Sequence, residues 1–135
     1  MAGPEMSKCH ILAVDDEPIN LALFKAFFFA QPYEVTLCSS GAKAIQMLND
    51  PTQPIDVVVL DLMMPNVDGF DVLHAVRAHD SRNTLPVIVQ SGNGDNENIR
   101  KAIEAGANDY LVKPFLFDTL MSALKKVCPA ARGEA

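Results

Sequence analysis

The segment that most constrains the fold is the run Val57 to Leu60, four apolar residues with no polar alternation. A strand with one solvated face alternates apolar and polar side chains, whereas a strand covered on both faces reads as a continuous apolar run. Strands of that kind occur in parallel sheets with helices packed on each side. The run therefore predicts a buried strand of an α/β fold.

Short apolar runs alternate with helical stretches along the rest of the chain. The predicted strands and helices follow in chain order: His10–Val14, about Pro18–Ala30, Tyr33–Leu37, Ala42–Leu48, Ile55–Leu60, Gly69–His79, Pro86–Val89, Asn96–Ala105, Tyr110–Val112 and Phe117–Val127. In the first helix, Ile19, Leu23, Phe27 and Ala30 form one apolar stripe, as in a helix that packs on a core. Strand–helix units in series predict a parallel sheet with right-handed crossovers.

Length and charge exclude several classes of protein. The 135 residues fit one domain, and a net charge of −6 argues against a broad basic surface for nucleic acid. No apolar stretch approaches the roughly 20 residues that span a bilayer, so we expect no membrane insertion. Cys9, Cys38 and Cys128 are odd in number and far apart. We therefore expect neither a disulfide framework nor a zinc site, and a reducing cytoplasm fits.

Polar side chains follow four of the predicted strands: Asp15 and Asp16 after the first, Asp61 after the third, Ser91 after the fourth and Lys113 after the fifth. Parallel sheets bind ligands beyond the carboxyl ends of their strands, so we expect these side chains to converge. Taken singly, Asp16 could cap a helix, and the others could be loop or surface residues. Three carboxylates together repel one another and persist when a cation or a proton compensates them.

The chemistry of this set favours phosphoryl transfer. Oxygen ligands without histidine or thiolate favour Mg²⁺ over zinc. An aspartate carboxylate can attack a phosphoryl group, and an ammonium and a hydroxyl can contact the phosphoryl oxygens. The set therefore contains the parts that form an aspartyl phosphate.

Three ordered motifs resemble the receiver domain of two-component response regulators. Val14–Pro18 is similar to the acidic metal-site motif of that family. Val57–Pro65, continuing to Asp68–Gly69, resembles its phosphoacceptor strand and the following loop, and Gly106–Phe115 resembles its last strand and Lys-Pro turn. The likeness runs from about Cys9 to Val127, and three motifs at domain-wide spacing make it specific.

The resemblance implies a flavodoxin-like fold, with five parallel strands in the order 2-1-3-4-5 and helices on both faces. The receiver would cover residues 9–128, between an N-terminal tail (1–8) and a C-terminal tail (129–135). Asp61 would be the phosphorylated residue. Asp16 and Asp61 would bind Mg²⁺ directly, Asp15 through water, and Met63 through its backbone carbonyl.

The resemblance also implies a switch. Lys113 would contact the phosphoryl group, Ser91 would be the hydroxyl switch, and Tyr110 would be the aromatic switch that changes exposure with it. The family further implies a cis Lys113–Pro114 bond, which costs only about 0.5–1 kcal/mol for X–Pro. Gly92–Gly94 departs from the family pattern, where a small residue such as Ala follows the hydroxyl residue. Its two glycines predict a loose loop.

By this resemblance the protein is a cytoplasmic signalling switch and not an enzyme that turns over an external substrate. It would take a phosphoryl group from a sensor histidine kinase or histidine phosphotransfer protein. It would then present the face of helix four, strand five and helix five to a downstream protein. Because the fifth helix ends near the end of the sequence, we expect no output domain. A stand-alone protein, a piece of a larger regulator or hybrid kinase, and a homodimer all stay open.

Other functions are disfavoured by particular residues. An aspartyl-phosphate phosphatase or mutase would carry a second Asp as general acid at the position of Met63. A flavin-binding domain would need a hydroxyl- and glycine-rich phosphate loop where Asp15, Asp16 and Glu17 would repel a phosphate. A phosphorylation-independent docking or dimerisation module would lack a site residue, and none is missing.

Overall fold

The predicted strands form one parallel sheet. The computed structural model describes residues 8–128. Their helices and strands are β1 (Cys9–Val14), α1 (Pro18–Phe28), β2 (Tyr33–Cys38), α2 (Gly41–Leu48), β3 (Val57–Asp61), α3 (Gly69–Ala78), β4 (Val87–Ser91), α4 (Asn96–Glu104), β5 (Asp109–Val112) and α5 (Phe117–Val127). The strand order is β2-β1-β3-β4-β5 with parallel pairing throughout. The predicted fold class and strand order are confirmed.

The core lies in two layers, one on each face of the sheet, because neighbouring residues of a strand point to opposite faces. Every residue of β3 is buried, as the continuous apolar run predicts. On one face α2, α3 and α4 cover the strands, with a core that includes Leu48, Leu60, Leu73, Val89 and Ala102. On the other face α1 and α5 do so, with a core that includes Ile11, Phe28, Val59, Ile88, Leu111 and Leu124.

Strand and helix ends differ from the prediction by one or two residues, and two differences affect the site. Asp61 and Ser91 are the last residues of β3 and β4 rather than residues that follow them. A side chain on the last residue of a strand is held by the ladder of the sheet, so its direction is set by the pleat. Alternation from Val59 places Asp61 on the face covered by α1 and α5.

The apolar stripe predicted for α1 does not pack on the sheet. Ile19, Leu23 and Phe27 are 69%, 50% and 40% exposed. Phe24 and Phe28 are buried in the core instead. The prediction was wrong because α1 carries apolar residues on more than one face, and helical periodicity does not decide which of two apolar faces is covered.

The expectation that the cysteines form no disulfide was also wrong. Cys9, at the start of β1, and Cys128, directly after α5, are disulfide-bonded with their Cα atoms 5.9 Å apart. Cys38 is free and buried. The two partners are separated by 119 positions, and they meet because β1 and α5 contribute to the same core layer. The cysteines therefore give no support for a reducing compartment.

The loops that approach the carboxyl ends of the strands are closely fitted. Asp68 and Asp71 form a capping box at the start of α3. A Cβ atom added to Gly69 would lie 2.5 Å from the carbonyl oxygen of Asp61, so only glycine fits this turn. Gly106 follows α4 with a φ of +112°, as expected of a residue that ends a helix. No helix within residues 8–128 is long and apolar enough to cross a membrane.

Candidate functional site

Three carboxylates meet at the carboxyl ends of β1 and β3. Asp15, Asp16 and Asp61 each offer an oxygen atom, and these atoms all lie within 4.8 Å of one another. Asp15 and Asp61 are buried, and Asp16 is half-buried. The strands are neighbours in the sheet, with Val14 opposite Leu60. The structure thus brings together the acidic residues singled out in the sequence.

Lys113 is the cation of this cluster. Its Nζ atom lies 3.1 Å from Asp15 Oδ2 and 3.7 Å from Asp61 Oδ2. Its backbone N–H donates to the carbonyl of Ser91, which ties the end of β5 to the end of β4. The Lys113–Pro114 bond is cis, as predicted. One ammonium beside three carboxylates leaves the cluster negative, which suits a divalent cation.

Burial dominates the electrostatics of Asp61. It raises the pKa of this carboxyl to about 6, with smaller upward contributions from Asp15 and Asp16. The N–H of Met63, which donates to Asp61 Oδ1 at 3.1 Å, and the ammonium of Lys113 act in the opposite direction. Ionised Asp61 is therefore costly without a cation, and a bound cation would favour the ionised form.

The alternative of Asp16 as a helix cap finds no support. Glu17 occupies the N-cap position of α1, and no side chain caps the helix there. The N–H of Glu17 donates instead to Asp15 Oδ1 at 2.9 Å. Pro18 opens the helix, where a missing N–H costs little. The carboxylate of Asp16 is thus left at the edge of the cluster, facing an open cavity.

That cavity has a volume of about 440 Å³ and gives solvent access to the cluster. It is lined by residues at the end of β3, in the first turn of α1 and in the four strand–helix connections at this edge: Asp16, Glu17, Asn20, Asp61, Met63, Gly92, Asn93 and Lys113. Its lining is oxygen-rich, contains one ammonium and has neither histidine nor thiolate. The donor set therefore fits Mg²⁺, a hard cation that binds oxygen.

Ser91 and Tyr110 are connected through one residue that the sequence did not single out. The N–H of Asn93 donates to Ser91 Oγ at 3.2 Å, and the Tyr110 hydroxyl donates to the carbonyl of Asn93. Asn93 Oδ1 also accepts from the N–H of Asp95. Asn93, the middle residue of Gly92–Gly94, is thus held by three hydrogen bonds. The predicted flexibility of this loop concerns its motion and stays a prediction.

A second residue that sequence reasoning missed is Gln90, whose buried Nε2 atom lies 3.5 Å from Asp15 Oδ2. The available signal was a polar residue directly after the apolar stretch Val87–Val89. Met63 lies two residues after the end of β3 and is 65% exposed. Its role as a ligand through its carbonyl stays a prediction.

The family model for the response regulator receiver domain matches residues 11–125. The chain belongs to the response regulator receiver family. Receiver domains are signalling modules of two-component systems that interact with histidine kinases or phosphotransfer proteins and with downstream effectors. They typically use Mg²⁺ at an acidic site of this kind.

Two curated relatives illustrate how this receiver domain is used in longer proteins. A probable cyclic di-GMP phosphodiesterase of Vibrio cholerae is 35% identical over 122 residues, which is 90% of this chain and 27% of that protein. The two-component response regulator ORR21 of Oryza sativa subsp. indica is 35% identical over 117 residues, 87% of this chain and 16% of that protein. The receiver thus matches only a minor part of each relative.

Solved receiver structures superpose closely. The chemotaxis protein CheY4 of Vibrio cholerae gives a TM-score of 0.80 at 28% identity, covering 90% of this chain and 99% of that one. The receiver domain of the sensor histidine kinase PA1611 of Pseudomonas aeruginosa gives 0.80 at 29% identity, covering 90% and 98%. That second structure holds a magnesium ion in its active-site cleft.

Proposed function

We propose that this receiver domain, residues 9–128, accepts a phosphoryl group on Asp61 in a Mg²⁺-dependent reaction and thereby changes which proteins it binds. The observation that carries the proposal is the position of Asp61. Its carboxylate lies between two further carboxylates and the Lys113 ammonium, at the wall of an open cavity. Membership of the receiver family supports the same conclusion.

Each residue of the proposed site has a separate role in phosphoryl transfer. An oxygen of Asp61 attacks the phosphorus of a phosphohistidine, the P–N bond breaks, and the imidazole leaves. The Met63 N–H holds Asp61 Oδ1 and so orients the other oxygen. Lys113 lies close enough to contact a phosphoryl oxygen after a small movement away from Asp15.

The contacts also support a set of Mg²⁺ ligands. Asp16, Asp61 and the carbonyl of Met63 would hold Mg²⁺ directly. Both oxygens of Asp15 already accept hydrogen bonds, which supports its role through water. When bound, Mg²⁺ offsets the negative charge that the carboxylates and the phosphoryl oxygens share.

Output would pass through the face formed by α4, β5 and α5. Ser91 would hydrogen-bond to the phosphoryl group, which would break its contact with the Asn93 N–H and alter the loop that Tyr110 also contacts. Ile103 and Val112 are exposed apolar residues on α4 and β5, as suits a surface that binds protein. A downstream protein is the proposed occupant, and a second copy of the chain is the alternative.

The domain assists its own phosphorylation and dephosphorylation but turns over no external substrate. An aspartyl-phosphate phosphatase needs a proton donor near the nucleophile, and the methionine two residues after Asp61 supplies none. The proposed compartment is the cytoplasm, and this rests on the family rather than on the cysteines. No nucleic-acid surface is proposed, given the net charge of −6.

Incubation with Mg²⁺ and a small phosphodonor tests the function. We expect one acid-stable, base-labile phosphoryl group per chain by intact mass, absent in Asp61→Asn because an amide is not a nucleophile. Asp80 is exposed in the connection between α3 and β4, so Asp80→Asn is the matched control and should be labelled like wild type. Full labelling of Asp61→Asn, or equal labelling in excess chelator, would exclude the proposal.

A further inference from the structure

Gln90 is a buried polar residue in a strand that is otherwise apolar up to Ser91. It is 3% exposed, and Val87, Ile88 and Val89 precede it in β4. Burying a side-chain amide is unfavourable unless it is hydrogen-bonded, so a buried glutamine next to a cluster of acids calls for a specific partner. Its partner is one of those acids.

The sheet register directs Gln90 at the acidic cluster. Gln90 is paired with Asp61 across β3 and β4. Alternation from Ile88 places its side chain on the sheet face covered by α1 and α5, the same face as Asp61. From there its amide Nε2 reaches Asp15 Oδ2 at 3.5 Å.

Asp15 is thereby held by three donors of different kinds. The Glu17 N–H binds Oδ1 at 2.9 Å, and Lys113 Nζ and Gln90 Nε2 bind Oδ2 at 3.1 and 3.5 Å. Asp15 is fully buried, so its orientation depends on these contacts. Of the three donors, only the amide is both neutral and carried by a side chain of the rigid sheet.

We propose that Gln90 is a positioning residue that orients Asp15 and so sets the affinity of the site for a divalent cation. This inference rests on the proposed Mg²⁺ function. Without the amide, Oδ2 of Asp15 is oriented by Lys113 alone, and Lys113 is drawn further from Asp61. Both changes displace a carboxylate from the geometry that a cation requires. Loss of a residue that orients a metal ligand typically weakens metal binding about 10–100-fold.

Gln90→Met is the informative variant because methionine has a similar length and no N–H donor. By calorimetric titration with Mg²⁺ we expect its Kd to rise about tenfold, the lower end of that range, since 3.5 Å is a long hydrogen bond. Ile88→Val, on the same strand and the same face, is the control. It loosens the core but should leave the Kd unchanged. In an Asp15→Asn background the effect of Gln90→Met should disappear.

A measurement without metal separates this inference from the proposed function. The side-chain amide signals of Gln90 in NMR spectra should shift in Asp15→Asn, recorded in chelator. If wild type binds no Mg²⁺ but these signals shift, the proposed metal function fails and the contact with Asp15 stands. If they do not shift, or if Gln90→Met binds Mg²⁺ like wild type, the inference is wrong. Should Gln90→Met fail to fold, the shorter amide of Gln90→Asn gives the same test with less change in polarity.

Discussion

Lys113 Nζ lies closer to Asp15 Oδ2, at 3.1 Å, than to the carboxylate of the proposed phosphoacceptor Asp61, at 3.7 Å. Lys113 directly follows the edge strand β5, and its side chain crosses the end of β4 to reach both acids. The ammonium that would contact the phosphoryl group is therefore paired with Asp15, a proposed metal-site residue. Phosphorylation of Asp61 would have to move the Lys113 ammonium away from Asp15 and toward the phosphoryl group.

Lys113→Ala should separate metal binding from the response to phosphorylation. Loss of a positive charge beside the carboxylates should leave Mg²⁺ affinity unchanged or increase it by up to about tenfold. The response to a beryllofluoride phosphate mimic should be reduced because the phosphoryl contact is gone. NMR chemical-shift changes measure this response, and Lys126→Ala, exposed on α5, is the control. Equal responses in Lys113→Ala and wild type would contradict the role.

The raised pKa of Asp61 predicts a pH dependence of stability in the metal-free protein. The folded pKa of about 6 lies above the ordinary value of 3.8, so the native state binds this proton more tightly than the unfolded state. The stability that protonated Asp61 contributes is fully present below about pH 4 and is lost as the pH rises through 6. The free energy of unfolding should then decrease by roughly 3 kcal/mol.

The difference between wild type and Asp61→Asn isolates this contribution from other titrating groups. Urea unfolding in chelator, from pH 4 to 7.5, should show wild type losing stability relative to Asp61→Asn as the pH rises. Parallel curves would mean that Asp61 has an ordinary pKa and that burial does not control its ionisation.

Asp16→Ala should weaken Mg²⁺ binding at least about tenfold while leaving a folded domain, because a proposed direct ligand is lost. The free energy of unfolding in chelator should be unchanged or higher, since one of three crowded carboxylates is removed. Calorimetric titration and urea unfolding give the two quantities, with Asp80→Ala as the control. A large loss of stability without metal would instead show a structural role for Asp16.

Reduction of the Cys9–Cys128 disulfide should destabilise the domain without altering the site. The bond closes almost the whole described chain into a loop, and loss of a native disulfide typically costs about 2–5 kcal/mol. Urea unfolding with and without a reductant measures the change. The Cys9→Ser/Cys128→Ser variant should not respond to the reductant. If the unfolding curve of the wild type is the same with and without the reductant, Cys9 and Cys128 are not disulfide-bonded in solution.

Much of this protein was predictable from local patterns in the sequence. The apolar run Val57–Leu60 predicted a strand buried on both faces, since alternation is lost only when both faces are covered. The carboxyl ends of parallel strands share one edge of the sheet, so the polar residues that follow them were predicted to converge. Of these, the three aspartates and Lys113 do so. These inferences need only the residues of one segment and a general rule of topology.

Other features were decided by tertiary packing. The buried face of α1 carries Phe24 and Phe28 rather than the predicted stripe, because the choice between two apolar faces depends on what the neighbouring elements leave uncovered. The Cys9–Cys128 bond and the Gln90–Asp15 contact join residues that are 119 and 75 positions apart. Such proximity is set by how strands and helices pack and by the register of the sheet, and spacing along the chain carries no information about either.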